Sequence, residues 1–588
     1  MMKKISRRSF LQASGVLAAM AALTACGGSQ TETGKTAAAH EAITFMAPYK
    51  EIEAFIEQVH SVYPEVNIEV VPYSGDNTTT CLQNMFAAGD LPDVCTLTYY
   101  DPRIDLVSNK LLDLSGYDFT DNYVESRLQD VFDNGAIYLL PSTYNCYGIT
   151  YNKTLLKKYG WELPNSFAEL EELAAKAKEA GVDLCLPQIQ YPGYGFQYLC
   201  NIADADFLGT LDGRLWQRDY LSGKANVSNT PGMMQAMAYV QKWKDIGMLN
   251  GTGDALDDNV TRQRMAEGNT LFLIGNTNGI VEADGNADKF GLMPFLSEDG
   301  TQNVFVLNVN RFYGLNKKLE DALKVMRVLS TVAGTSALQP ATALKSSLLP
   351  FKDAKADGTY YADIADALNA GNTAPFIYSG WENAIVTTGL KMLDFMKGNA
   401  TMEDVIRQLD EDQDSVVNNT PDTITTVTEE LSQEDCAMLV GRCFAQATGS
   451  DLALVSLSTW IPGNPTNQNH HGVAAKLYAK DITDYDLSVI LPTGWNRTIQ
   501  TVTLTGQQIN DLLATGYDAY GNGKGYPYVL VSPVQPEAGK TYQVAICGVS
   551  EQLAAEADVV DSGVVGMDAA KTFFGAYTTI SRADTAWS

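Results

Sequence analysis

Ala42-Ile43-Thr44-Phe45-Met46-Ala47 opens a pattern that runs to Thr98 and decides the fold class. These six residues read as a strand; Ile52, Phe55, Ile56 and Val59 then recur at helical spacing, and Val66 to Val71 alternates as a second strand. Leu82, Met85 and Phe86 mark another helix before Val94-Cys95-Thr96-Leu97-Thr98. Strand, helix, strand, helix, strand predicts a parallel sheet with helices on its faces. Ligands of such sheets sit at the carboxyl ends of the strands, so Tyr99, Tyr100 and Asp101 are candidates for a site.

Toward the C-terminus the alternation continues. Ser166-Phe167-Ala168-Glu169 is a capping box before Leu170, Leu173 and Ala174, with Gly181 closing the helix. Thr230-Pro231 opens another helix through Met234, Met237, Val240 and Trp243 to Gly247. Alternating elements persist to about Leu409. The stretch 410–434 then turns polar, acidic and Thr-rich, which predicts a linker before a separate helix-and-strand segment from Cys436.

Toward the N-terminus, Met1-Met2-Lys3-Lys4, the pair Arg7-Arg8, an apolar run and Leu23-Thr24-Ala25-Cys26 read as a signal peptide ending in a lipobox. The run falls short of the ~20 residues a membrane span needs. Thr24 and Ala25 are small enough to admit a signal peptidase, and Cys26 supplies the thiol for a diacylglycerol thioether. At roughly 0.8 kcal/mol per buried methylene, two or three acyl chains make a stable anchor. Ser6-Arg7-Arg8-Ser9-Phe10-Leu11 also resembles the twin-arginine export signal, and the general secretion route stays open beside it. Residues 27–34 are small and polar, a flexible leash. No later stretch is long and apolar enough to span a bilayer.

The chain has 588 residues and a net charge of −29, and loses basic residues with its signal, so the mature body is more acidic still. Such a body excludes nucleic acid as a partner and is repelled by anionic lipid, leaving the acyl anchor as its membrane contact. Beyond Cys26, none of the remaining cysteines forms a C-x-x-C pair, and several lie in apolar runs, which predicts buried free thiols.

From Pro141 to Gly181 the sequence resembles the extracellular solute-binding proteins of carbohydrate ABC importers, the family of the maltose-binding protein. Pro141, the run Tyr147-Gly148-Ile149-Thr150-Tyr151-Asn152-Lys153 and the helix start Pro164-Asn165-Ser166-Phe167 carry the likeness, with Leu91-Pro92-Asp93-Val94, Met265 to Phe272 and Tyr378-Ser379-Gly380-Trp381 adding to it. The resemblance covers about Ala42 to Leu409. It implies an α/β, two-lobe periplasmic-binding-protein-like fold of type II, with a separate C-terminal α+β domain beyond it. It also implies a small-molecule solute held between the lobes, closure by hinge bending and an ABC transporter permease as partner.

Candidate pocket residues follow from the matched positions. Trp381 stands where the family stacks an aromatic ring on a sugar face; an ordinary core tryptophan is the alternative. Asn276 and Asn278 follow a strand where the family often shows tryptophans, which suggests amide hydrogen bonds to hydroxyls or a plain Asn-Gly turn. Asn145 stands where a maltose binder has a glutamate. Tyr99, Tyr100, Tyr144, Tyr147 and Tyr194 are weaker candidates, because most of the chain's 29 tyrosines must be structural.

The tail, about Cys436 to Gly548, resembles the C-terminal domain of bacterial 5′-nucleotidases through Ala447 to Val455, Leu491 to Asn496 and Thr501 to Ile509, the last holding a capping box from Thr505 to Gln508. The family's Asn-Gly-Gly-Gly-Ile-Arg nucleotide loop is replaced by Ser456-Leu457-Ser458-Thr459-Trp460-Ile461. With only four histidines, His40, His60, His470 and His471, and no Asp-x-His pattern, a two-metal phosphoesterase is not expected. Asn469-His470-His471 reads as a solvated loop.

The expected organisation is a signal peptide over 1–25, lipidated Cys26 and a leash to 40, a bilobal domain over 41–409, a linker over 410–434 and a nucleotidase-like domain over 435–588. The expected protein is a monomeric, lipid-anchored receptor at the outer face of the cytoplasmic membrane. It needs no cofactor, metal or catalytic residue and takes a small solute, a carbohydrate by resemblance. The competing class is a nucleoside-binding or nucleotidase-associated surface protein, with Trp460, Trp495, Tyr526 or Tyr528 stacking on a base.

Overall fold

The computed structural model describes residues 42–587 except 49–51, 72–77, 98–110, 129–131, 134–135, 252–257, 275–287, 317–318, 340–346, 355–360, 377–380, 419–421, 458–471, 474, 492–497, 517–526 and 548–556. The opening pattern folds as its periodicity predicts. β1 (Ile43–Phe45), β2 (Ile68–Val70) and β3 (Val94–Leu97) are connected by α1 (Glu53–Val62) and α2 (Thr78–Ala88), and β1 pairs in parallel with both neighbours. After β4 (Leu140–Pro141) and β5 (Tyr144–Tyr147), the chain crosses at Gly148 into a second sheet.

That second lobe begins with β6 (Ile149–Asn152), α3 (Lys153–Tyr159), α4 (Phe167–Glu179), β7 (Asp183–Pro187) and α5 (Pro192–Ala203). It continues through a π-helical turn at Asp204–Leu208, α6 (Leu211–Leu221), α7 (Pro231–Asp245), β8 (Thr270–Ile274) and β9 (Phe290–Met293). Its sheet order is β9-β6-β8-β7. The chain then returns through β10 (Phe305–Val309), β11 (Phe312–Leu315), α8 (Glu320–Leu329) and β12 (Thr373–Pro375), and crosses again to α9 (Glu382–Lys397) and α10 (Met402–Asn418). β11 completes the first sheet, ordered β2-β1-β3-β11-β4, and β12-β10-β5 forms a small third sheet between the lobes. Each lobe has its own core: Phe45, Phe55 and Tyr313 in lobe 1, Trp243, Phe272 and Trp381 in lobe 2.

Local signals explain the boundaries. Asn152, the Asn of the Tyr-Asn-Lys run, is buried and caps α3 by accepting from Leu155 N at 3.0 Å. Ser166 Oγ accepts from Glu169 N, while the Glu169 carboxylate turns to Asn165 N at 2.7 Å, so the predicted box closes one residue early. Thr230 precedes α7 without a side-chain cap, because its hydroxyl accepts from Trp216 Nε1.

The predicted linker is a correction. α10 runs through Asn418 and β13 (Thr425–Val427) follows closely, so much of 410–434 is regular structure and lobe 2 extends past Leu409. The acidity there is internal acceptor capacity, not only solvation. Asp412, 4% exposed, accepts from Thr387 and Thr388 hydroxyls at 2.6 Å each, and Asp410 accepts from Val227 N at 2.7 Å.

Beyond β13 come α11 (Gln433–Thr448), β14 (Leu452–Ser456), β15 (Asp481–Ile482), α12 (Asp484–Ile490), β16 (Thr498–Thr505) and α13 (Gly506–Thr515). β17 (Tyr528–Val531), β18 (Thr541–Cys547), β19 (Val559–Val565), α14 (Gly566–Gly575) and β20 (Thr579–Ile580) complete the region. Its sheets, β15-β13-β20 and β17-β14-β18-β16-β19, exchange no strand with the lobes. The capping box predicted at Thr505 is present. Cys81, Cys95, Cys146, Cys185, Cys200, Cys436 and Cys443 are free thiols, and burial pushes Cys436 and Cys443 up to about 12. No described helix is long and apolar enough to cross a membrane.

α11 opens on a reciprocal box between Ser432 and Asp435. Burial alone would raise the Asp435 carboxyl, but bonds from the Ser432 backbone and hydroxyl and from Arg582 outweigh it and hold it below the ordinary range. A depressed carboxylate contributes stability that is present above its unfolded value, near 4, and lost as pH falls through the folded one. Urea unfolding of this domain is therefore expected to weaken on going from pH 5 to pH 3, and Asp435→Asn should flatten that dependence. Parallel pH curves for the two proteins would contradict the assignment.

Candidate functional site

The third sheet lies where the chain crosses between lobes, and the alternation along its strands sorts the side chains. On β5, Tyr144 and Cys146 are buried in the lobe 1 core, so Asn145 and Tyr147 project from the opposite face. On β10, Phe305, Leu307 and Val309 join that same core, which leaves Val306, Asn308 and the following Asn310 on the face of Asn145 and Tyr147. The antiparallel register sets Asn308 opposite Asn145 and Val306 opposite Tyr147.

The result is a ladder of neutral polar groups. Asn308 Nδ2 donates to Tyr147 Oη at 3.3 Å, Asn145 Nδ2 donates to Asn310 Oδ1 at 2.9 Å, and Asn310 Nδ2 donates to Thr143 Oγ1 at 2.7 Å. Phe376, just past β12, leans on Tyr147 with ring centroids 5.3 Å apart. All of these but Thr143 are half-buried, and Tyr147 and Phe376 also pack against the lobe 2 core. Burial pushes the Tyr147 phenol up, against bonds from Asn308 and Asn145, so it stays a neutral hydroxyl at physiological pH. Next along the chain, Arg311 is buried and its guanidinium donates to Asn310 O.

Lobe 2 carries aromatic rings of its own at the carboxyl ends of β7 and β8. Tyr198 Oη lies 2.6 Å from Gln188 O and 3.1 Å from Ile274 O, tying the two strand exits together. Tyr194 stacks on Tyr198 at 6.4 Å, and Tyr191, 37% exposed, sits 5.9 Å from Tyr194. Gly148 makes the crossing possible: a Cβ there would stand 2.6 Å from Met293 O. Carboxamides and phenols that both donate and accept, beside aromatic faces, suit an uncharged, hydroxylated solute.

Among the sequence candidates, Asn145 and Tyr147 come together in this ladder. Tyr144 does not join them: it is fully buried, and its hydroxyl donates to Arg127 O at 2.5 Å. Trp381 is 2% exposed and lies in the lobe 2 core, stacked on Tyr220 at 4.5 Å with Phe196 and Trp216 around it. That placement matches the core alternative, because a ring so enclosed offers no open face to a sugar. Tyr99, Tyr100, Asp101, Asn276, Asn278 and Cys26 lie outside the described residues, as do Trp460, His470, His471, Trp495 and Tyr526. Tyr528 is buried at 6% exposure. Sequence reasoning missed Asn308, Asn310 and Phe376. The signal was available in Asn308-Val309-Asn310, one amide on a strand otherwise apolar and a second just past its end.

Residues 43–335 match the model of the bacterial extracellular solute-binding protein family. Residues 4–24 match the signal sequence of the twin-arginine translocation pathway, which marks an exported protein and favours that route over the general one. A curated relative, the multiple sugar-binding protein of Streptococcus mutans serotype c, is 25% identical over 142 residues, 23% of this chain and 33% of that protein. The match thus spans about a third of that relative's length. Among solved structures, a family 1 extracellular solute-binding protein from Bifidobacterium longum subsp. infantis aligns with a TM-score of 0.51 at 20% identity, over 64% of this chain and 99% of that one. Apo RafE from Streptococcus pneumoniae aligns with a TM-score of 0.51 at 16% identity, over 65% and 100%. At these identities the likeness is one of fold, two α/β lobes joined by crossing strands.

Proposed function

We propose that this chain is a receptor for a neutral carbohydrate, tethered by lipid at Cys26 and delivering its solute to an ABC importer, a reading supported by the match of residues 43–335 to the bacterial extracellular solute-binding protein family. The observation that carries the solute class is the uncharged ladder of Asn145, Tyr147, Asn308 and Asn310 with Phe376 beside it. Sugar hydroxyls each donate and accept, as these amides do, and pyranose C–H faces suit the rings. The relative from Streptococcus mutans carries a sugar-binding name, which supports the same class. A solute touching both lobes favours the closed state by its differential contacts there.

The anchor, the permease and a monomeric state belong to this proposal. So does a C-terminal domain without hydrolase chemistry, supported by the chain's four histidines. Metal-dependent phosphate release from nucleotides by the purified chain would overturn that part. For the anchor, Cys26→Ser is expected to abolish labelling by a fatty-acid probe.

Mass spectrometry of the molecule that copurifies with the native protein is the direct test, and a neutral oligosaccharide or monosaccharide is expected. With that sugar, Asn145→Ala and Asn308→Ala should each weaken calorimetric affinity about tenfold, the equivalent of ~1.4 kcal/mol per lost contact. Unchanged affinity in both variants would remove the ladder from the site.

A further inference from the structure

The C-terminal domain is docked on lobe 1. Asn84 of α2, nearly buried, donates from Nδ2 to Asp486 Oδ1 at 2.9 Å and accepts from Lys480 Nζ at 2.9 Å. Lys480 Nζ also reaches Asp486 Oδ1 at 2.8 Å, and Asp486, 1% exposed, spends its second oxygen on Thr483 N at the start of α12. At the exit of α2, Asp90 accepts from Tyr478 Oη at 3.1 Å and pairs with Lys476, which lies 3.6 Å from Glu430. Val489 of α12 is buried in the lobe 1 core, with Ala475 and Tyr478 packed against it. A buried carboxylate–amide pair, capped by an ammonium that stays partly open to solvent and set beside an apolar contact, is a fixed interface rather than a passing contact.

The same domain is joined covalently to lobe 2. α10 is held there by Asp412 on Thr387 and Thr388, by Tyr220 Oη donating to Leu409 O at 2.5 Å, and by Gln413 Nε2 donating to Tyr220 O at 3.2 Å. Ile424 N already donates to Ile482 O within the C-terminal domain. Only residues 419–423 separate α10 from that bond, a reach of at most about 20 Å fully extended.

We propose that the C-terminal domain is a strap: clamped to lobe 1 and tied to lobe 2 by a five-residue connector, it limits how far the lobes open. This rests on the two-lobe receptor reading, in which the lobes hinge about the three crossing segments. An ordinary open state is bounded only by those crossings; here a fourth link passes through α2, the docked domain and α10. By excluding widely open states, the strap raises the fraction of free protein near the binding-competent arrangement, and apparent affinity scales with that fraction.

The test uses the full-length chain without solute, so its outcome is independent of which solute binds. Spin labels introduced through unnatural amino acids at the exposed positions Glu57 on α1 and Lys176 on α4 report the interlobe distance. Inserting ten Gly/Ser residues between Thr420 and Pro421 leaves docking intact and lengthens the connector by roughly 18 Å of coil. Lys476→Glu with Lys480→Glu undocks the domain by setting like charge against Asp90, Glu430 and Asp486. Both variants are expected to shift the distance distribution to longer values and broaden it. An insertion variant whose distribution superposes on that of the native chain overturns the proposal, whether or not the charge-reversed variant folds.

Discussion

Trp381→Ala is expected to destabilise lobe 2 by about 3–5 kcal/mol, the usual cost of deleting a large aromatic side chain from a packed core. The ring is 2% exposed, stacks on Tyr220 at an interplanar angle of 9°, and meets Phe196 and Trp216 at 5.7 and 6.2 Å. Truncation leaves a cavity bounded by three other aromatic rings on α5 and α6, which cannot collapse without moving both helices. It also starts α9, since Ile385 N donates to Trp381 O at 3.0 Å. Its indole Nε1 finds no protein acceptor among the described residues, so Trp381→Phe removes an unpaired donor and should cost much less. Urea unfolding of the two variants beside the native chain measures the difference. A native-like midpoint for Trp381→Ala together with lost sugar binding would return this ring to the solute pocket.

The second large effect is expected at the crossing of α5 and α9. A Cβ on Gly389 would lie 2.3 Å from Pro192 O, and one on Gly195 would lie 2.5 Å from Gly389 O. Both clashes are with backbone carbonyls, so relief needs the helices to separate rather than a rotamer to change. In an open helix, glycine to alanine gains about 1 kcal/mol of propensity; here overpacking costs typically 1–3 kcal/mol and wins. Gly389→Ala should lower the thermal midpoint, and Gly389→Val should lower it further because a β-branched residue adds two more atoms to the same gap. A raised midpoint for Gly389→Ala would show that the crossing has room to spare.

How much of this was legible beforehand depends on the distance over which each feature is set. The strands at Ile43, Ile68 and Val94, the caps at Ser166 and Thr505, and the breaks at Gly181 and Gly247 follow from residues within a turn or two of one another. Asn145 was legible through its matched position in the resembled family, and Tyr147 only as one of several tyrosines, because the strand face they share is set by pairing with β10. Trp381 was open between two roles, and no local pattern separates a ring that stacks on a solute from one that stacks on Tyr220. The acidic stretch after Leu409 was misread because composition records charge but not whether a threonine hydroxyl waits opposite, as Thr387 and Thr388 do for Asp412.

By itself, then, the sequence determined what nearest neighbours decide: an export leader with twin arginines, the alternating elements whose first three strands pair in parallel, and the ends of several helices. Periodicity and capping are energies between residues a few positions apart, so they survive without the rest of the chain. Only the tertiary structure decided that Asn145 faces Asn308 and Asn310, and that Asp486 closes on Asn84 across 402 residues. Those contacts form because buried polar groups must find partners wherever packing brings them, and packing is a property of the whole fold.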